Sequence, residues 1–154
     1  MSFTSSTTAR VACNTSEEVN RRIRNATEMN VVRAAQEGVA GIDRRLRELD
    51  QEWDIERCLE TGAASLTLLG LAMGSSEDRK WFLLPGAVAG FLLLHAMQGW
   101  CPPLPVLRRA GVRTAQEIGE ERMALKALRG DFAGVAAGDH GAESIMQALS
   151  SARR

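Results

Sequence analysis

Cysteine is scarce and unpatterned in this chain of 154 residues. Cys13, Cys58 and Cys101 make an odd count with no repeated spacing, which argues against a secreted disulfide framework and against a zinc site. Net charge is absent too: Lys plus Arg and Asp plus Glu stand at 19 each, so no global field marks the chain for nucleic acid or another polyanion. Nor is there a Ser-His-Asp order, a Cys-His arrangement with an orienting group, a Gly-rich phosphate loop or a CxxC. With so few acids, bases and nucleophiles outside solvated helix faces, the sequence points away from an enzyme and implies no cofactor and no metal.

The most informative absence is local. From Trp81 to Trp100 the chain carries no Asp, Glu, Lys or Arg, whereas Ser16 to Arg57 is dense with charge. The mean hydropathy of −0.15 therefore averages two regimes. A core helix of a soluble protein seldom runs so far without charge on any face. At about 1.5 Å per residue the segment 81–100 reaches roughly 30 Å, with an indole at each end where the membrane interface favours it. A second segment, 58–74, is small and apolar and reaches roughly 25 Å, at the lower limit for a span.

Only Ser75 to Lys80 separates the two segments, so they are expected to be antiparallel neighbours forming a hairpin over 58–101. Pro85 falls in the opening turns of the second helix, where a missing amide is tolerated. Gly70 and Gly74 on the first helix and Gly86 and Gly90 on the second lie at similar depth and predict close backbone packing. Arg44, Arg45, Arg47 and Arg57 precede the hairpin and Arg108, Arg109 and Arg113 follow it, against Arg79 and Lys80 in the turn. The basic residues place both termini in the cytoplasm of a bacterial inner membrane, with the bilayer itself as the first partner.

Before the hairpin, residues 1–15 are polar and expected to be flexible, and the first apolar run starts too late for a cleaved signal peptide. The sequons at Asn14 and Asn25 are chance matches in a cytoplasmic segment. Thr15 to Glu18 fits a capping box, opening an amphipathic or coiled-coil helix over 16–57. Its apolar residues Val32, Ala35, Val39, Ile42, Leu46, Leu49 and Trp53 alternate in steps of three and four, the signature of an oligomer seam. In that register Arg45 faces Asp50 of a parallel partner and Glu52 faces Arg57. The same stripe would also suit a helix folded back on its own chain or lying on the membrane surface. Gly38 and Gly41 predict a kink or a close contact.

After the hairpin, Pro102, Pro103 and Pro105 lead into a cytoplasmic turn and short helix over 102–130, opened by a second capping box at Thr114 to Glu117 and stopped at Gly130. Residues 131–154 read as a flexible Gly/Ala-rich tail with a weak terminal helix around Ile145, Met146 and Leu149. The fold class is thus an all-α membrane protein: a two-helix transmembrane hairpin with a long N-terminal heptad helix and a short C-terminal helix.

Few side chains are candidates for chemistry. His95 is an intramembrane titratable group, and a depth count sets it near Ser65 for an interhelical hydrogen bond. Ser65, His95 and Gln98 could instead line an oligomeric pore. Cys101 and Cys58 fall at one level of the hairpin, in a basic setting that would favour a reactive thiol, although packing of Cys101 at a tight helix exit before two prolines is the favoured reading.

Gly99-Trp100-Cys101-Pro102, the Glu56-Arg57 pair entering the first span, and Gly111-Val112-Arg113-Thr114 carry a resemblance to the YgaP-like transmembrane domain, over roughly Trp53 to Asp131. That resemblance implies a small bacterial inner-membrane hairpin associated with dimerisation, and a membrane-surface pairing of Glu56 with Arg57. In the namesake the hairpin is joined to a rhodanese domain handling sulfane sulfur. This chain has neither a rhodanese-sized α/β domain nor a cysteine-headed active loop, so sulfurtransferase activity does not carry over. The sequence leads to a non-enzymatic, membrane-anchored oligomeric scaffold or accessory subunit of a larger membrane complex. The alternatives are a sulfur or redox relay through Cys101 and Cys58 with a separate sulfurtransferase, and the pore.

Overall fold

The computed structural model describes residues 9–135 and 141–153. The first eight residues of the expected flexible N-terminus, Gly138 of the tail and the terminal Arg154 lie outside the described residues. The fold is all helical, with no strand among the described residues. The helices are α1 (Arg10–Cys13), α2 (Glu17–Gln36), α3 (Gly38–Gln51), α4 (Ile55–Ser76), a 3-10 turn (Arg79–Phe82), α5 (Leu83–Gln98), α6 (Leu104–Arg109), α7 (Ala115–Arg129) and α8 (Ala142–Arg153). They fall into two compact units, one from the described part of Met1–Ile23 with Trp53–Gln116, the other from Arg24–Glu52 with the described part of Glu117–Arg154.

The expected helix over 16–57 is interrupted twice. Gly38 has φ +70° and ends α2, a left-handed conformation that glycine adopts without Cβ strain. Glu52 turns extended at φ −68°, ψ 131° and ends α3. Asp54 then caps α4, its carboxylate accepting from the Arg57 amide at 2.8 Å. Gly41 is the close contact that accompanies the break, since a Cβ there would lie 2.7 Å from the Ala34 carbonyl oxygen.

In the second unit, Ala34, Ile42, Leu46 and Leu49 form a core with Ile118 and Leu125 of α7, and Val31 packs against it. The heptad stripe is therefore divided: Ile42, Leu46 and Leu49 are buried within the chain itself, whereas Val32 and Val39 are 55% and 60% exposed. Ala35 is exposed as well, and Trp53, outside this unit, is half exposed. The charges follow the fold-back. Arg45 meets the buried Glu121 through two bonds of 2.7 and 3.3 Å, a bidentate pair that raises its pKa. Asp50 accepts from Arg122, and Asp43 from Arg129. These intrachain partners replace the expected match of Arg45 with Asp50 of another copy. Lys126 is buried and donates from Nζ to the Ala152 carbonyl at 2.8 Å, tying α7 to the last turns of α8.

The first unit holds α4 against the 3-10 turn and α5. Among the described residues one helical stretch, Arg79–Gln98, is long and apolar enough to cross a membrane, and only 6% of its most apolar window is buried. A buried apolar core gathers at one end of this pair: Val11, Ile55, Leu59, Cys101 and Leu104, with Leu107 and Val112 packed on them. At the other end Asp78 caps the 3-10 turn, accepting from the Lys80 amide at 2.9 Å. Gly70 and Gly74 do carry close packing: a Cβ would lie 2.6 Å from Pro85 Cδ at the first and 2.9 Å from the Phe82 ring at the second. Gly86 and Gly90 do not, because a Cβ at either meets nothing within 4 Å. The small-residue face of α4 is filled by Phe82 of the 3-10 turn and Pro85 of α5, not by a matching glycine face.

This asymmetry sets an expectation for alanine. Gly70→Ala and Gly74→Ala should each lower stability by about 1–3 kcal/mol through overpacking. Gly86→Ala and Gly90→Ala should be neutral or stabilise by up to about 1 kcal/mol through helix propensity. Thermal unfolding of the four variants in one mild detergent measures the contrast.

Candidate functional site

The most built polar site in the first unit closes the C-terminal end of α5. A helix leaves its last carbonyls without intrahelical partners, and here three devices satisfy them. Gly99 takes φ +74° and returns its amide to the His95 carbonyl at 2.8 Å. Arg10 of α1 donates from Nη1 to the Ala96 carbonyl at 3.0 Å. Asn14 donates from Nδ2 to the Gln98 carbonyl at 2.8 Å. A Cβ on Gly99 would come within 2.7 Å of Arg10 Cβ and Cγ, so glycine is required there by conformation and by space.

Beneath this cap lies His95, 3% exposed. Its Nε2 is 3.2 Å from Glu56 Oε2, and Arg10 Nη2 is 3.7 Å from Glu56 Oε1. Donation from Nε2 to the carboxylate leaves the other ring nitrogen, Nδ1, buried and without a hydrogen-bond partner. The carboxylate is thus placed between an imidazole and a guanidinium. This corrects two expectations. Glu56 pairs with Arg10 and His95 and not with Arg57, which stacks over the Trp53 ring at 4.3 Å from its centroid. His95 bonds to Glu56 and not to Ser65, whose hydroxyl turns back to the Thr61 carbonyl of its own helix at 2.8 Å. Ser65 and Gln98 are exposed while His95 is buried, so the three do not share one polar lining.

Arg108 organises the outer side of the same core. It is 1% exposed, donating to the Thr15 hydroxyl at 3.2 Å, the Asn20 carboxamide oxygen at 2.9 Å and the Val112 carbonyl at 3.2 Å. Asn20 in turn donates to the Ala12 carbonyl at 2.9 Å. Thr15, expected to open a capping box, gives its hydroxyl proton to the Val11 carbonyl. Arg22 donates to the Arg109 carbonyl, and the Ile55 amide to the Arg113 carbonyl at 2.9 Å. Sequence reasoning missed Arg10, Asn14 and Asn20, which sit in a polar stretch with no hydrophobic periodicity to mark it.

The two thiols do share one place. Cys58 and Cys101 line an apolar cavity of about 240 Å³ between α4 and α5, with Gly62, Leu66, Phe91 and Leu107 among its walls. No metal-holding group of three His, Cys, Asp or Glu occurs among the described residues. No family model, curated protein or solved structure matches the chain.

Burial pushes the Cys101 thiol up, with the Glu56 carboxylate adding to the effect. A raised pKa lowers the thiolate fraction at neutral pH, and the thiolate is the reactive form. Maleimide at pH 7 should therefore modify exposed Cys13 well before Cys101. Gly99→Ala should displace α1 with Val11 and bring the Cys101 rate up at least several-fold. Mass mapping of the labelled sites over time reads both rates, and equal rates at Cys13 and Cys101 in the parent protein would contradict the burial.

Proposed function

We propose that the protein is a non-enzymatic, membrane-anchored scaffold or accessory subunit, in which α4 and α5 cross a bacterial inner membrane as a hairpin and the remaining helices bind copies of the chain or a larger membrane complex. The observation that carries this reading is an apolar helix left uncovered. Leu83, Leu93 and Met97 of α5 are 62–76% exposed and Leu68 of α4 is 68% exposed. Contiguous apolar surface of this extent marks a membrane or protein interface. From Thr61 to Ser76 α4 carries no charge, which at 1.5 Å per residue is about 24 Å of lipid-compatible helix. The arginine bias around the hairpin supports cytoplasmic termini, and the resemblance to YgaP-like hairpins supports dimerisation as the mode of assembly.

A sulfur or redox relay draws on one specific observation, the cavity shared by Cys58 and Cys101. The upward shift of Cys101 weighs against it, because a sulfur acceptor works as a thiolate. The scaffold reading needs no such activation.

Alkaline carbonate extraction should leave the chain in the membrane pellet. In intact cells, Ser76→Cys should react with a membrane-impermeant thiol reagent, while native Cys13 should react only after lysis. Release into the carbonate supernatant would remove the membrane reading, and labelling of Cys13 in intact cells would remove the proposed orientation. Native mass spectrometry from mild detergent should show more than one copy or a co-purifying membrane protein. A bare monomer would end the scaffold reading.

A further inference from the structure

Helix α2 uses its two sides differently. Val31 and Ala34 face the core of the second unit. Met29 and Val32 face outward, 61% and 55% exposed, in a shallow groove edged by Asn25, Glu28, Arg33 and Gln36. Positions 25, 29, 32 and 36 advance by four, three and four, a heptad stripe separate from the buried Ile42, Leu46 and Leu49. With Met29 at a and Val32 at d, Glu28 falls at g and Arg33 at e. Both charges are exposed, and among the described residues neither has an ion pair within the chain.

We propose that the occupant of this groove is the α2 helix of a second copy of the chain, laid parallel and in register. In a parallel pair a g residue faces the e residue five positions later on the partner. Glu28 of each copy then meets Arg33 of the other, giving two identical charge pairs on either side of the Met29 and Val32 layers. An antiparallel pair brings g to g and e to e, which leaves Glu28 and Arg33 unmatched, so the charges select the parallel arrangement. Asn25 and Gln36 form polar layers above and below, and an Asn inside a seam fixes register at some cost in affinity.

Two apolar layers are too little for a stable dimer between freely diffusing chains. The contact acts between copies already concentrated in one membrane, where effective concentration supplies what area does not. In that respect the inference rests on the membrane-anchored reading.

The test uses full-length protein in native membranes with Cys13→Ser as the parent, removing the one exposed native thiol. Val32→Cys should form a copper-phenanthroline disulfide dimer in at least fivefold higher yield than Arg47→Cys or the parent. Glu28→Arg added to Val32→Cys should cut that yield several-fold, and Arg33→Glu added to both should restore it. Because all of these side chains are exposed, the variants should fold as the parent does, which far-ultraviolet circular dichroism verifies. If Val32→Cys links no better than Arg47→Cys while native mass spectrometry still shows an oligomer, this face is overturned and the scaffold reading stands. If linking at Val32→Cys is indifferent to Glu28→Arg, the parallel register is overturned. A monomer in both measurements overturns the two readings together.

Discussion

The first unit depends on how α5 ends. This apolar helix buries few of its own side chains; its start is held beside α4 by the contact of Pro85 with Gly70, and its other end has to be fixed at the terminus. There the open carbonyls of Ala96 and Gln98 require donors. Arg10 and Asn14 supply them, Gly99 provides the turn that lets them approach, and Glu56 holds Arg10 and His95 from the side of α4. Val11 on the same short helix then closes over Ile55, Leu59, Cys101 and Leu104. One set of polar contacts thereby positions the apolar cluster, the Gly99 to Pro102 exit and both thiols.

Arg108 has a second, complementary part. A guanidinium with five donors can serve several acceptors in fixed directions where an ammonium could not, and Arg108 joins Thr15, Asn20 and Val112 across 88 to 93 residues of sequence for the side-chain partners. The basic residues that argue for orientation are therefore not equivalent. Arg108 and Arg113 are buried while Arg109 and Arg57 are exposed, so residues that look alike in the sequence include two that are part of the packed core.

Much of the helical layout was legible because it leaves periodic marks. The uncharged run 81–100, the glycine at 38 and the alternation from Ile42 to Leu49 each name a helix or its end. What the alternation did not disclose is what covers it. A heptad stripe is satisfied equally by a second chain or by α7, and Ile118 and Leu125 are spaced by seven on their own helix, too sparse to announce themselves as the partner. The glycine pairs misled for a related reason: small residues at matching depth suggest mutual contact, yet Pro85 and Phe82 fill the space beside Gly70 and Gly74. Arg10, Asn14 and Asn20 were illegible because a capping side chain is recognised only once the carbonyl it reaches is known.

The bonds from Arg10 and Asn14 to α5 close loops of 84 to 86 residues. During synthesis the donors emerge well before their acceptors exist, and closing so long a loop brings no contact energy until both ends are in place. Everything between them, including α4 and most of α5, has to be made before the loop can close. The segment made early is thus the one that docks late, and Val11 stays uncovered until it does. A chain that has not yet closed this loop would display the unsealed end, which distinguishes immature from mature copies without any change in covalent structure.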